Sequence, residues 1–272
     1  MINSLTQLYG VFGNPVRHSK SPLIHNFLFQ RHHINAVYLA FEPDGISKTT
    51  EAIQTLNIMG ASITLPFKES IIPHLDWIDV DAEAIGAVNT VVNKEGFLQG
   101  FNTDYMAAVE PLKPFGISGK KVCILGAGGA AQAVAYGVHK EKGRLVIINR
   151  NKERGENLAG KYNADFFPLD DKKSINKIQP DILINTTPVG MHPNISDLSF
   201  PLEYLNHKTI VMDIIYAPLK TRLLHGAQSK GCITVDGLSM FLHQGAQQFE
   251  LWTGISPDIE LMRNALLKNG EL

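Results

Sequence analysis

Cysteine is nearly absent from this chain of 272 residues. Cys123 and Cys232 are the only two, and they lie far apart in apolar runs. That excludes a disulfide framework and a cysteine zinc site, and it suits a reducing compartment with both thiols buried in cores. A surplus of charge is missing as well. Lys and Arg total 25 against 26 Asp and Glu, a formal net charge of −1. No global field draws the chain to nucleic acid or to an anionic membrane, so an anionic ligand must be met by a local cluster. No apolar run approaches the roughly 20 residues of a membrane span. Residues 1–10 lack a basic stretch followed by an apolar one, so no signal peptide is expected and a cytoplasmic location is. The ten histidines show no spacing with carboxylates or cysteines that makes a ligand set, so no metal is expected. Short-period repeats and low-complexity segments are also missing.

What remains is ordinary globular material, 44% hydrophobic and 19% charged, in which short apolar runs alternate with helix-like stretches. Strands are predicted over 8–13, 36–41 and 61–65, and helices over 21–33 and 47–57. The runs 88–92 and 97–101 flank Asn93-Lys94-Glu95-Gly96 as a hairpin, and a helix is predicted over 103–112. The turn-rich stretch 113–120 then breaks the pattern. A second βα series follows, with strands over 122–125, 145–149, 182–185, 210–215 and 233–235, and only helices after it, over 239–253 and 257–268. Repeated βα units imply parallel sheets with helices on both faces. The expected architecture is therefore α/β with two domains and a cleft between them. The N-terminal domain spans 1–112 and is completed by the C-terminal helices of 239–272, which makes it discontinuous. A Rossmann-type domain spans 113–238.

The run from Val122 to Ala131 reads as an apolar strand, a glycine turn and a helix start. Gly126, Gly128 and Ala131 match G-x-G-x-x-A, with Ala127, Gly129 and Ala130 between them. The first glycine allows the tight turn, the second lets a pyrophosphate approach, and the small third residue lets the helix pack on the strand. The helix N-terminus then meets the phosphates with N–H groups and a positive dipole end. An NAD enzyme places an acid at the end of the next strand, for the ribose 2′-hydroxyl. This chain has Asn149-Arg150-Asn151-Lys152-Glu153-Arg154 there. Guanidinium forks and amides suit a 2′-phosphate, so the expected cofactor is NADP.

The first half places polar residues at predicted strand ends: Ser19-Lys20-Ser21 after Gly13-Asn14-Pro15, Thr64 and Lys68 after a third strand, and Asn102-Thr103-Asp104 between a strand and a helix. Asn89-Thr90 opens an apolar strand, an odd place for an amide unless it is satisfied or used. A surface lysine or a helix cap would explain any one of these alone. Several of them at strand ends fit the rule that open α/β sheets bind ligands outside those ends.

Taken together, these motifs resemble the bacterial shikimate dehydrogenases. The resemblance is carried by His18-Ser19-Lys20-Ser21-Pro22, Thr64-Leu65-Pro66-Phe67-Lys68, Gly86-Ala87-Val88-Asn89-Thr90, Asn102-Thr103-Asp104, the glycine turn, Asn185-Thr186-Thr187-Pro188-Val189-Gly190-Met191 and Asp236-Gly237-Leu238-Ser239-Met240. It implies reversible reduction of 3-dehydroshikimate by NADPH, with Lys68 and Asp104 as the catalytic pair. It further implies substrate binding by Ser19, Ser21, Thr64, Lys68, Asn89, Asp104, Gln244 and Tyr216. Ile214 and Gly237 would line the nicotinamide side, and Thr186 and Met191 are secondary candidates for it. The position of Ile214 is often methionine in the family, and an apolar isoleucine still packs there. The small-molecule substrate leaves no role for nucleic acid or membrane, and family members are monomers or homodimers. Two other readings stay open on the residues: a quinate/shikimate dehydrogenase, often NAD-linked, and a non-catalytic NADPH-binding regulator, which should have lost Lys68 or Asp104.

Overall fold

A computed structural model describes residues 2–268. The chain begins as β1 (Gln7–Phe12), α1 (Ser21–Arg31), β2 (Ala36–Phe41), α2 (Ile46–Thr55) and β3 (Ile58–Ile63). β1 pairs in parallel with both β2 and β3. Beyond β3 the direction changes. A two-residue strand β4 (Trp77–Ile78) and the short helix α3 (Val80–Ile85) lead into the hairpin of β5 (Thr90–Lys94) and β6 (Phe97–Phe101). Its turn is Glu95-Gly96, with φ of 55° and 91°, the positive values that a two-residue hairpin turn demands. Buried Asn93 closes it, accepting from the Gly96 N–H at 2.8 Å and donating to the Ile58 carbonyl at 3.0 Å.

β5 runs antiparallel to β3, so the first sheet, ordered β2-β1-β3-β5-β6-β4, is mixed. The βα repeats lead to an expectation of parallel sheets, and the predicted hairpin is where this sheet departs from it. A two-residue turn joins only antiparallel strands, and here the hairpin extends the parallel ladder itself. β4 had no signature in the sequence because two residues carry no periodicity.

Helix α4 (Asp104–Val109) is shorter than the predicted 103–112. It passes into a 3-10 turn, Glu110–Phe115, because Pro111 and Pro114 supply no N–H to an α-helical ladder. Then come β7 (Lys121–Leu125), α5 (Gly129–Lys140), β8 (Arg144–Asn149), α6 (Lys152–Lys161), β9 (Asp165–Pro168), α7 (Lys172–Ile175), β10 (Ile182–Asn185), β11 (Ile210–Asp213), α8 (Arg222–Ser229) and β12 (Ile233–Val235). All pairs in this second sheet are parallel, in the order β12-β11-β10-β7-β8-β9. That is the doubly wound order, with its switch point between β7 and β10. Val122, Ile124, Ile147 and Ile184 pack on one face; Cys123, Leu125, Ile148 and Leu183 pack on the other. Burial on both faces explains why these strands read as continuous apolar runs. Sequence reading missed β9, a four-residue edge strand ending in proline, the place where a sheet tolerates one. Strand β11 stops at Asp213, short of the predicted 215, because its carboxylate accepts the Ile215 N–H at 3.1 Å and turns the chain. Both cysteines are free and buried, and burial pushes the Cys123 thiol up to about 12.

The chain ends with α9 (Gly237–Thr253) and α10 (Ile259–Lys268). Among the described residues, 2–103 with 242–268 form one compact unit and 104–241 the other. Residues 104–112, expected with the first domain, pack with the second, as do 239–241. α4 lies against α5 at Gly137, where a Cβ would stand 2.6 Å from the Tyr105 carbonyl oxygen. Residues 269–272 of the expected first domain lie outside the described residues. In the first unit α10 packs on α1, and the Trp252 ring of α9 fills the space above Gly60, where a Cβ would come within 2.4 Å of Nε1. The same nitrogen donates to the Val91 carbonyl at 3.0 Å. No helix among the described residues is long and apolar enough to cross a membrane.

His25 stacks on Tyr38 with centroids 4.5 Å apart, and burial holds its imidazole down to about 3. The unfolded chain takes up this proton below about pH 6.5 and the folded chain does not, so acid pulls the equilibrium toward unfolding. Stability should therefore fall as pH drops from about 6.5 toward 3. Urea unfolding of His25→Leu across that range is expected to show a shallower acid limb than the unaltered chain; equal slopes would contradict it.

Candidate active site and dinucleotide site

The antiparallel insert decides where the polar residues of the first unit end up. β1 and β3 are parallel, so the segment carrying Ser19 and Ser21 and the segment carrying Thr64 and Lys68 both leave the same edge of the sheet. β5 runs the other way, pairing Ser62 with Thr90, which brings the beginning of β5 to that edge. β6 reverses again, pairing Thr90 with Phe101, so Asn102-Thr103-Asp104 leaves from the same edge. Asn89, oddly placed as the opening of an apolar strand, is thereby brought level with residues that close strands.

Each segment is held locally. Glu42 accepts from the Val16 and Arg17 N–H groups at 2.8 and 3.1 Å and from the Arg17 guanidinium, and these bonds, the Val16 N–H first, hold its carboxyl below the usual range. That fixes the loop before Ser19. The Ser21 N–H donates to Ser19 Oγ at 3.3 Å. Thr64 donates its N–H to the Phe12 carbonyl, and the Lys68 carbonyl accepts from Val88 N–H at 2.8 Å. Asn102 donates to the Ala87 carbonyl at 2.8 Å. Asn89 donates through Nδ2 to Thr103 Oγ1 at 2.9 Å and accepts the Thr103 N–H at 2.8 Å. Its amide thus binds together two of the segments at the edge.

α9 runs along this sheet face in step with the strands. Trp252 lies at Gly60 and Val91, and Gln248 at Ser62 and Thr90. Four helical residues advance about 6 Å and two strand residues about 6.7 Å. By the same spacing, one further step of the helix would bring Gln244 level with Thr64 at the strand end.

The second unit carries the glycine turn at its switch point. Gly126 has φ +114°, a conformation open to glycine, and a Cβ there would stand 2.6 Å from Thr186 Oγ1. Gly128 begins α5 with no side-chain cap, and nothing lies within 4 Å of where its Cβ would be. An open approach to a helix start with no capping side chain fits a dinucleotide pyrophosphate. Ala131 is buried, as the close packing of helix on strand requires.

At the end of β8, Asn149 donates its amide to the Asn151 carbonyl at 2.8 Å. Asn151 caps α6 by accepting the Arg154 N–H at 3.0 Å, so its amide group is what it has left for a ligand. Lys152 lies 3.7 Å from Glu156. Arg150 and Arg154 are exposed. No carboxylate ends the strand, and the residues present fit a 2′-phosphate.

Ile214 and Gly237 meet through backbone: a Cβ on Gly237 would come within 2.4 Å of the Ile214 carbonyl. The glycine thus has a steric reason of its own. Tyr216 stacks on Phe241 with centroids 4.4 Å apart. Sequence reasoning missed what holds these loops. Buried Asp213 accepts from Ile215 N–H, from Asn185 Nδ2 at 3.0 Å and from Thr221 Oγ1 at 2.8 Å. Asn185 Oδ1 in turn accepts the Thr187 N–H and hydroxyl. Burial pushes the Asp213 carboxyl up to about 6 against the pull of those donors. A lone Asp at the end of an apolar strand was the available signal. Among the described residues no cluster of His, Cys, Asp and Glu is arranged to hold a metal.

Three family models match the chain: the shikimate dehydrogenase substrate binding domain over residues 11–91, shikimate/quinate 5-dehydrogenase over 110–196, and the shikimate 5′-dehydrogenase C-terminal domain over 237–267. A shikimate dehydrogenase (NADP+) of Pyrococcus abyssi is 44% identical over 263 residues, covering 96% of this chain and 98% of the relative. A crystal structure of a shikimate dehydrogenase in complex with NADP+ is similar with a TM-score of 0.91 at 39% identity, covering 99% of this chain and 97% of the other. The shikimate 5-dehydrogenase of Thermus thermophilus, in complex with NADP(H) and shikimate, has a TM-score of 0.88 at 34% identity, with 98% and 100% covered.

Removing both guanidinium groups, Arg150→Ala with Arg154→Ala, should raise KM for NADP by about tenfold or more, at roughly 1.5–3 kcal/mol per charged hydrogen bond. KM for NAD should stay put. An equal loss with both cofactors would remove these arginines from 2′-phosphate recognition.

Proposed function

The chain belongs to the shikimate dehydrogenase family, and on that footing we propose that it catalyses the reversible NADPH-dependent reduction of 3-dehydroshikimate to shikimate. It is an oxidoreductase of aromatic amino-acid biosynthesis, and we place its work in the cytoplasm. The observation that carries the site assignment is the convergence of Ser19, Ser21, Thr64, Lys68 and Asn89 on one edge of the first sheet, with Asp104 following β6 there. The alternative NAD-linked quinate reading finds no support at the end of β8, where Asn149 stands in place of an acid.

Shikimate is a small carboxylate with three hydroxyls. Ser19 and Ser21 offer hydroxyls to the carboxylate, while Asn89, Asp104 and Gln244 suit the ring hydroxyls. Thr64 and Tyr216 complete the substrate contacts. NADPH, when bound, supplies the hydride that reaches the ketone carbon. Gly126, Ala127, Gly128, Gly129 and Ala130 hold its pyrophosphate, Asn149 to Lys152 and Arg154 its 2′-phosphate, and Ile214 and Gly237 its nicotinamide side. Lys68 donates a proton to the ketone oxygen as negative charge builds there, and in the reverse direction takes it back. By its likeness to the family, Asp104 is the second member of the catalytic pair.

Absorbance at 340 nm with shikimate and NADP should show turnover, with quinate and NAD as much poorer partners; no turnover revives the regulator reading. Lys68→Ala should lower kcat by about 100-fold or more, the usual worth of general acid–base catalysis, with little change in shikimate KM. A variant within a few-fold of the unaltered kcat removes Lys68 from that role.

A further inference from the structure

Asp213 and Asn185 have no part in the roles above, yet both are buried at 0% exposure. They stand opposite each other as the last paired residues of β11 and β10. Past them the chain leaves the sheet, and side chains take over from the ladder. Backbone groups that can only donate fix the direction of each bond. The Thr187 N–H donates to Asn185 at 3.1 Å, so the atom it meets is Oδ1. Asn185 Nδ2 is left to face Asp213 Oδ1 at 3.0 Å, and the Ile215 N–H donates to that same oxygen at 3.1 Å. Thr221 Oγ1 accepts the Leu224 N–H at 3.3 Å and gives its proton to Asp213 Oδ2 at 2.8 Å. All three partners of Asp213 donate, which suits a carboxylate.

The pair joins two loops. On one side, Asn185 shapes the turn after β10, accepting from the Thr187 hydroxyl at 2.7 Å as well. Its neighbour Thr186 donates its N–H and its hydroxyl to the Leu125 carbonyl at 3.0 and 2.6 Å, which seats it against Gly126 of the glycine turn. On the other side, Asp213 turns the chain at Ile214 and Ile215. The Ile214 N–H returns to the Asn185 carbonyl at 3.1 Å, and the backbone of Gly237 closes on the Ile214 carbonyl. The residue assigned to the nicotinamide is thereby held in register with the turn assigned to the pyrophosphate. Both belong to the second unit.

We infer that Asp213, through Asn185, is a positioning residue for the nicotinamide half of the cofactor. The inference rests on the dehydrogenase reading above. A dinucleotide is one covalent ligand met by several loops. With the phosphates held elsewhere, the spacing of these two loops decides how well the nicotinamide is received, and an unordered loop weakens that half alone.

The test compares two ligands by calorimetry: NADPH, and 2′-phospho-ADP-ribose, which is the same molecule without its nicotinamide. The proteins are the unaltered chain, Asp213→Leu, Asn185→Ala and Asp213→Asn. Asp213→Leu and Asn185→Ala should each weaken NADPH by about 5- to 10-fold, the worth of a loop that must be ordered on binding, and leave 2′-phospho-ADP-ribose within about twofold. Their kcat should fall by about tenfold or more, since a small misplacement of reacting groups costs rate steeply. In Asp213→Asn the amide oxygen keeps the bonds to Ile215 and Asn185, and the NH2 group meets the Thr221 hydroxyl, which can turn to accept. That variant should bind both ligands within about twofold of the unaltered chain.

Equal weakening of the two ligands overturns the inference, because a general loss of structure spares neither. So does NADPH affinity unmoved in Asp213→Leu and Asn185→Ala, or an Asp213→Asn variant as weak as Asp213→Leu. If Asp213→Leu does not fold, Asn185→Ala, which spares the Asp213 bonds to Ile215 and Thr221, decides the matter alone. Absence of turnover in the unaltered chain overturns the dehydrogenase reading and this inference with it. Turnover there, with the ratio of the two affinities unmoved in the variants, overturns only the inference.

Discussion

The antiparallel pairing of β5 with β3 is the constraint on which the first unit depends. The Ile63 N–H meets the Asn89 carbonyl at 2.7 Å, and Ser62 stands opposite Thr90. Parallel strands alone would gather only residues that follow strands. Reversing β5 adds a residue that precedes one, and reversing β6 adds the segment from Asn102 to Asp104. A one-residue slip in this pairing would turn Thr90 to the other face and break its bonds to Gln248 and to Asn89 together.

The C-terminal helix α9 reads that register from above. Glycine at 60 admits the Trp252 ring, the ring nitrogen holds the Val91 carbonyl, and four residues earlier Gln248 finds Ser62 and Thr90. The near match between one helical step and two strand residues lets a single helix face address successive strand positions. Gln248, Ser62 and Thr90 under it are all the more consequential for being satisfied by one another, with partners that no solvent can replace. Gln248 brings together what the chain separates by 186 residues.

The second unit works by more local rules. Its glycine turn, strand and helix are contiguous, and the approach it offers is set by the missing Cβ atoms of Gly126 and Gly128. Even so, the loops after β10 and β11 are held by an interaction that is not local. Asp213 and Asn185 are adjacent only because their strands are paired, and their mutual bond ties the Thr187 turn to the Ile215 turn.

The sequence by itself determined a good deal. The apolar runs of β7, β8 and β10, the G-x-G-x-x-A spacing and the cations after Asn149 were all legible, because each depends on neighbours within a few residues. So was the tight turn before Phe97, where Gly96 takes a positive φ, and so were Ser19, Thr64 and Lys68 as polar residues at strand ends. Tertiary structure decided the rest. Whether Asn89 stands with them depended on strand direction, which no local pattern carries. The two-residue β4 and proline-ended β9 exist only as partners of β6 and β8. Tyr38, Ser62, Gln248 and Asp213 looked like scattered polar residues in apolar stretches. Their meaning lies in hydrogen bonds whose donor and acceptor are far apart in sequence, and a buried polar group is defined by the partner that folding brings to it.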